Sequence, residues 1–449
     1  MTNIGLLGNP STWAAGKQTY IPPEMKLPTP LQGSRIVRRI LRRQVDTTVP
    51  ININNSEIRW KIPSSSVITL DFRRGTIYLT IGVTVDGPHL ARLSNFAWNI
   101  FNRFRLEQHG QYVEDRQFWN WQETFVYWAN ALPNQFTTVA EGLYGYGSAV
   151  NRNAKSATWE YALPIPTDAL TKTVYPWFQL MKTQNSSYVS STLPDVYMIW
   201  NVADPREWVE TYFAAPPAVN IQFSITKMEC EYEEITVESG NTGAFLQFWH
   251  TDDSMYPNIY WETYLTSTYP LTQGVEQFIN LDVRVKSIQW IAVTVRVANT
   301  LQDTFVYNKF ETWIGPADVR WPLIEYQWEL NNNHWPDRPI SLADPGDVQP
   351  YKKFLELFGN YFSRTVHSDV TSIGPIGFQT DKFIMAFDGN MYPFSQKMIG
   401  PVSTEKSSKY IVLRMKFTGA PAANLELVVH TKYWRKWRFA APAGTIVDW

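Results

Sequence analysis

The stretch LSNFAWNIFNRFRLEQHGQYVEDRQFWNWQETFVYW, Leu93 to Trp128, is where the reading of the fold is decided. Leu93, Phe96, Ala97, Ile100, Phe101 and Phe104 fall on one face of a helical period, which predicts a helical opening. The register then changes. Phe104 and Leu106 alternate with Arg105 and Glu107, the pattern of a half-buried strand. His109-Gly110 supplies a turn, Tyr112 and Val113 a short return, and Phe118 to Trp128 an aromatic helix. A weaker copy follows at PLIEYQWELNNNHW, Pro322 to Trp335. There Ile324, Tyr326, Trp328 and Leu330 alternate into an Asn-rich turn, and an amphipathic segment runs from Tyr351 to Phe362. Two halves sharing one local plan suggest a duplicated domain.

The 449 residues suffice for two such domains, each burying about 70% of its unfolded surface. With 44% hydrophobic and 18% charged residues the chain is globular, not disordered. Aromatic residues reach 15% and lean toward pleated, half-buried surfaces. A formal charge of -1 gives no global field to gather nucleic acid or acidic substrates. Cys230 is the only cysteine, so an intramolecular disulfide is impossible and a reducing compartment is the simpler expectation. It lies in an alternating strand and reads as a small buried hydrophobe. The N-terminus lacks a signal-peptide pattern, and no apolar run is long enough to span a bilayer.

Residues 1–34 carry Pro, Gly, Thr and Asn without periodicity and read as an extended arm. SRIVRRILRRQV follows. On a helical wheel Arg35, Arg38, Arg39, Arg42 and Arg43 take one side, and Ile36, Val37, Ile40, Leu41 and Val45 the other. The expectation is a basic amphipathic helix within an arm of residues 1–50. It would pack on its own domain, dock on a neighbouring subunit, or meet a membrane or nucleic acid.

The first domain is expected over residues 51–238. Its strands are Glu57 to Ile62, Val67 to Phe72, Ile77 to Val85, Thr158 to Leu163, Asp195 to Trp200 and Val219 to Tyr232, the last with a bulge. Glu238 to Gly243 is the linker candidate, and residues 239–449 form the second domain. It repeats the order with strands over Phe278 to Val285 and Ile288 to Val297, then the copied stretch, then a helix carrying Phe354, Leu357, Phe358, Tyr361 and Phe362. Ile411 to Phe417 and Leu425 to Val429 read as a hairpin. Many short strands, embedded helices and a repeat of about 200 residues indicate an all-β chain of two tandem eight-stranded jelly-roll β-sandwiches.

Sites for chemistry are sparse. The six histidines form no HxH or HExxH spacing, and His250-Thr251-Asp252-Asp253 is a weak ligand cluster. No GxSxG elbow, P-loop or GxGxxG is present. Glu231 and Glu233 would share a strand face, so a glycoside hydrolase is an alternative, but a solvated face explains them with less. Tyr433, Trp434, Arg435 and Trp437 could stack on sugars, as in a carbohydrate-binding sandwich, or close the fold or a subunit contact. No enzyme, metal or cofactor is expected.

EIRWKIPSSSVITLDFRRGTIYLTIGVTVDG (Glu57 to Gly87) and NIFNRFRLEQHGQYVEDRQFWNWQ (Asn99 to Gln122) resemble the double jelly-roll major capsid proteins of the adenovirus, tectivirus and virophage lineage. In that family an early strand ends in Ile-Pro and leads to a Leu-Asp strand start, here Leu70-Asp71. A helix then feeds a strand and an Asn-Gly-like turn, followed by Val-Glu or Val-Thr, here His109-Gly110 and Val113-Glu114. The resemblance implies a homotrimer forming pseudo-hexameric capsomers that tile an icosahedral shell in the virion. It implies neighbouring capsomers, penton proteins and minor capsid proteins as partners. Arg35, Arg38, Arg39, Arg42 and Arg43 would then face another capsomer, the genome or an internal membrane.

Overall fold

The computed structural model describes the chain from residue 36 to 448 except for connecting segments, the longest of which are 147–155, 213–220, 238–257, 299–312, 359–372 and 390–409. Sixteen strands build two jelly rolls. The first contains β1 (Ile36–Gln44), β2 (Glu57–Ile62), β3 (Ile68–Val85), β4 (Phe101–Gln108), β5 (Gln111–Gln117), β6 (Ser156–Pro164), β7 (Val196–Val202) and β8 (Ile221–Val237). The second contains β9 (Asn258–Pro270), β10 (Glu276–Leu281), β11 (Ile288–Val297), β12 (Leu323–Leu330), β13 (Asn333–Ser341), β14 (Met385–Asp388), β15 (Ile411–Phe417) and β16 (Leu425–Ala440). In the first, the facing sheets run β1-β8-β3-β6 and β2-β7-β4-β5. In the second they run β9-β16-β11-β14 and β10-β15-β12-β13, the same permutation. The duplication read from one copied stretch therefore extends over all sixteen of these strands.

Alternation builds the cores. In β2 Ile58, Trp60 and Ile62 point inward while Glu57, Arg59 and Lys61 face out. In β3 Ile77, Leu79, Ile81, Val83 and Val85 do the same. Cys230 is fully buried on β8, and burial pushes its thiol pKa up, as expected of a small core hydrophobe. The decisive stretch follows its predicted plan with one change. Its opening is only a short 3-10 turn, Ala97–Ile100, because Phe101 already begins β4. Gly110, at φ 75, makes the turn into β5, and helix α1 (Trp119–Asn130) follows at once. In the copy, Asn331 and Asn332 hold φ 51 and 66, the paired left-handed residues that a tight hairpin requires. Helix α2 (Gln349–Phe358) comes after β13, and Tyr361 and Phe362 lie outside the described residues.

Three expectations are corrected. The arginine-rich segment is not an amphipathic helix of a separate arm but the first strand of the first jelly roll, paired antiparallel with β8. An eight-stranded roll needs this edge strand, and Ile36, Ile40 and Val45 are compatible with β as well as helical structure. The roll thus starts before residue 51. Second, residues 68–85 form one long strand instead of two. Third, β15 and β16 are not a hairpin: they lie in opposite sheets, and the segment between them crosses the sandwich. The linker candidate Glu238 to Gly243 lies outside the described residues.

Gly389, after β14, shows how tightly the second sandwich closes. A Cβ there would sit 2.3 Å from the Ile288 carbonyl oxygen. Gly389→Ala is expected to destabilise by about 1–3 kcal/mol through overpacking. A thermal melt unchanged from wild type would contradict that close approach.

Candidate functional site: the joint between the two jelly rolls

The turn-bearing end of β4–β5 and helix α1 form the seam against the second jelly roll. α1 starts on Phe118, a left-handed residue at φ 54 whose ring stacks on Trp121 at 4.6 Å. That conformation is costly for a residue with a Cβ and aims the helix sharply away from β5. Its buried residues include Gln122, Phe125, Trp128 and Ala129.

The first jelly roll grips the β9–β16 ribbon from both faces. On one face, Thr263 of β9 donates its hydroxyl to the Glu114 carboxylate, whose other oxygen accepts from Thr167. Trp437 of β16 donates its indole N–H to Gln108 Oε1 at 2.9 Å. On the other face, reached by the alternate residues of the same strands, Phe125 stacks on His430 at 4.3 Å and 4°. Phe125 also meets Trp290, Trp313 and Phe358 edge-on at 6.4, 5.5 and 5.7 Å. Arg296 covers the Trp121 ring at 3.8 Å, and Lys382 the Trp128 ring at 3.9 Å.

Charges are buried along this seam. Arg116, 4% exposed, donates to Gln122 Oε1 at 2.9 Å, to the Pro166 carbonyl at 2.6 Å and to Glu123. Its guanidinium also lies 5.3 Å from the Tyr264 ring centre. Burial works against its charge, but Glu123 and Glu114 outweigh burial and raise its pKa. Burial raises the Glu114 carboxyl above the usual range, opposed by Arg116, the two threonine hydroxyls and Arg435. Burial lowers the pKa of Arg435, which is 4% exposed. His430 is 1% exposed, shares a 3.1 Å hydrogen bond with Thr266 Oγ1, and burial lowers its pKa to about 3. The buried hydrogen bonds of Glu114, Arg116 and Trp437, with the stacked rings, fix one relative orientation of the two rolls.

The residues singled out from sequence fall elsewhere. Arg35 lies outside the described residues. Arg38, Arg39, Arg42 and Arg43 lie on β1, in register with Ile235, Glu234, Glu231 and Cys230 of β8. Glu231 and Glu233 are therefore strand partners of Arg42 and Ile40, and Glu233 is 7% exposed, a poor position for a carboxylate that must reach a sugar. A cavity of about 350 Å³ lies in the second roll, lined by residues such as Pro316, Leu342 and Phe378, far in the chain from either glutamate. Tyr433, Arg435 and Trp437 are 6%, 4% and 0% exposed and belong to the joint and its core, so they offer no stacking platform. His250, Asp252 and Asp253 are outside the described residues, and among the described residues no cluster of three metal-ligating side chains occurs.

Sequence reasoning missed Glu114, Arg116, Gln122, Phe125 and His430 as a unit. A signal existed: β5 carries Glu114, Asp115 and Arg116 consecutively, so charge falls on both faces of a strand that a single sandwich would leave half apolar.

No protein-family model and no curated protein matches the sequence. Solved structures do match the fold. The Faustovirus major capsid protein aligns with a TM-score of 0.57 at 8% identity, covering 95% of this chain and 94% of that one. The capsid protein of the PBCV-1 virus aligns at 0.56 and 10% identity, covering 93% and 97%. A chain of the Sputnik virophage aligns at 0.52 and 8% identity, covering 91% and 88%. This chain has the double jelly-roll fold of those proteins over both of its rolls.

Proposed function

We propose that this chain is the structural major capsid protein of an icosahedral virus, and not an enzyme. The observation that carries the reading is the joint: two jelly rolls of identical strand order are held as one body, over almost the whole length of the capsid proteins it resembles in fold. A rigid pair of equivalent rolls is the repeating unit a closed ring requires. The chain forms a homotrimer whose six rolls make a pseudo-hexameric capsomer. Capsomers pack side by side in the virion, assembled inside the host cell, with penton and minor capsid proteins completing the shell.

The arginines keep a part in this scheme. Arg39 and Arg42 lie opposite Glu234 and Glu231, a register that supports zipping β1 into its sheet. Arg35 and Arg38 are the candidates to meet a neighbouring capsomer, the genome or an internal membrane, whereas Arg43 is in register with the fully buried Cys230.

Light scattering on the purified 52.0 kDa chain, with negative-stain imaging of the same peak, tests the reading. A particle of about three times that mass with a hexagonal outline is the expected result. A stable monomer at micromolar concentration would count against it.

A further inference from the structure

The two rolls are built alike at one corner, and only the first fills it with its own side chains. Val202 of β7 is in register with Phe101 at the start of β4, and Phe417 of β15 with Leu323 at the start of β12. One residue further on, the Ala203 N–H donates to the Ile100 carbonyl at 2.7 Å. The Thr418 N–H likewise donates to the Pro322 carbonyl at 3.0 Å. Counting back from these pairs, Phe96, Ala97 and Trp98 of the first roll match Asp318, Val319 and Arg320 of the second.

In the first roll this turn supplies rings. Phe96 stacks on Trp98 at 4.3 Å and on Tyr146 at 5.0 Å, and Trp98 meets Tyr144 at 5.1 Å. The Trp98 indole N–H donates to Thr124 of α1 at 3.0 Å. Ala97 is fully buried, and its N–H donates to the Tyr144 carbonyl of the segment that closes over the turn. The second roll also closes a segment over its turn: helix α3 (Pro375–Thr380) offers its Gln379 and Thr380 carbonyls to the N–H groups of Ala317 and Gly315. That turn brings no ring to the corner. Asp318 holds the Arg320 guanidinium through both carboxylate oxygens, and Val319 is 91% exposed where its counterpart Ala97 is 0%. The cavity of about 350 Å³ lies here, between Asp318, Val319 and Pro322 of the turn, Leu342 and Pro350 at the entry to α2, and Phe378 of α3.

Protein interiors are close-packed, and a void of this size forgoes the contacts its walls would otherwise make. Its volume falls within the range of small-molecule sites. The walls are mostly apolar, and the ionisable groups among the described lining residues are two acids, Asp318 and Asp347, with no Lys, Arg or His. Hydrogen bonds from Arg320 hold the Asp318 carboxyl below its ordinary pKa, so it is charged at neutral pH. An apolar pocket with carboxylates and no cation in its wall penalises an anionic ligand. We infer that this corner of the second roll is a binding site for a planar aromatic small molecule of one or two fused rings, uncharged or cationic, which takes the place that Phe96 and Trp98 fill in the first roll. Such a ligand stacks against Phe378 and the prolines and ties the turn, α2 and α3 together. The inference does not depend on how copies of the chain assemble.

The test titrates the full chain calorimetrically with three probes: indole, tryptamine and indole-3-acetate. Indole and tryptamine are expected to bind saturably, one per chain, with dissociation constants of about 1 mM or tighter. Indole-3-acetate should bind at least about tenfold more weakly, because its carboxylate meets the acidic wall. Ala343→Trp places an indole in the cavity from an exposed wall position and should weaken indole and tryptamine binding at least about tenfold, with the wild-type circular dichroism spectrum retained. Should that variant misfold, Ala317→Phe, also at an exposed lining position, serves the same purpose. No saturation by indole or tryptamine at several times that concentration would overturn the inference. Undiminished binding in a folded variant would place the ligand elsewhere and overturn it too, and indole-3-acetate binding as tightly as tryptamine would overturn the ligand class.

Discussion

Arg116→Met is expected to destabilise the protein by about 3–5 kcal/mol, the cost of leaving buried charges without their partner. The guanidinium is 4% exposed and donates to Gln122, Pro166 and Glu123 while lying against Tyr264 of the other roll. Methionine fills much of the volume but donates nothing, so Glu123 loses its cation and Glu114 retains only Arg435 of the two that offset its burial. The loss falls on the joint more than on either core. Denaturant unfolding followed by tryptophan fluorescence should therefore change from one transition to two, as the rolls lose the contact that makes them unfold together. Arg116→Met combined with Glu123→Gln should regain part of the loss, since the stranded carboxylate is then gone. A single transition at the wild-type midpoint would show that the charges along the seam contribute nothing to holding the rolls together.

Most of the fold was legible because it depends on local alternation and turn chemistry. Glu57 to Ile62 alternates cleanly, and the turn at Gly110 and the Asn331-Asn332 turn need left-handed residues that the sequence supplies. The copied stretch was enough to recover the duplication. What failed did so for identifiable reasons. Ile-Val-Arg-Arg-Ile-Leu-Arg-Arg divides its side chains equally well on a helical wheel, and nothing within it reveals that β8 offers an edge with Glu231 and Glu234 in register. Strand pairing across about 190 residues is a tertiary fact that no local period carries. The β15–β16 pair misled similarly, since two alternating strands joined by a short loop can pair or can cross between sheets. The joint was least legible of all. Phe125 and His430 are unremarkable in their own segments, and only the packing of one roll on the other stacks them.

The same stack makes the protein sensitive to acid. His430 has an ordinary pKa of 6.5, which burial lowers to about 3 in the folded chain. Below pH 6.5 the unfolded chain therefore binds a proton that the folded chain refuses. Stability is complete above that pH and falls as pH drops toward 3, the sign expected of a histidine buried neutral. At pH 5 the loss is about 2 kcal/mol, from 1.4 kcal/mol per pH unit over roughly one and a half units. Nearby charges do not set this value: desolvation is its cause, with Phe125 on the ring face and Thr266 on Nδ1. Glu114 acts with the opposite sign, because a carboxyl whose pKa is raised by burial gains relative stability as pH falls toward it. Comparison with a variant separates the two. His430→Phe keeps the ring stacked on Phe125 but cannot be protonated, and it leaves the Thr266 hydroxyl without its partner at a cost of about 1 kcal/mol at neutral pH. Denaturation measured at pH 7 and pH 5 should show wild type losing about 2 kcal/mol more than the variant between the two. Equal losses would mean that water reaches the ring and that the joint is wetter than its packing indicates, because an imidazole that can be hydrated has no reason to refuse the proton.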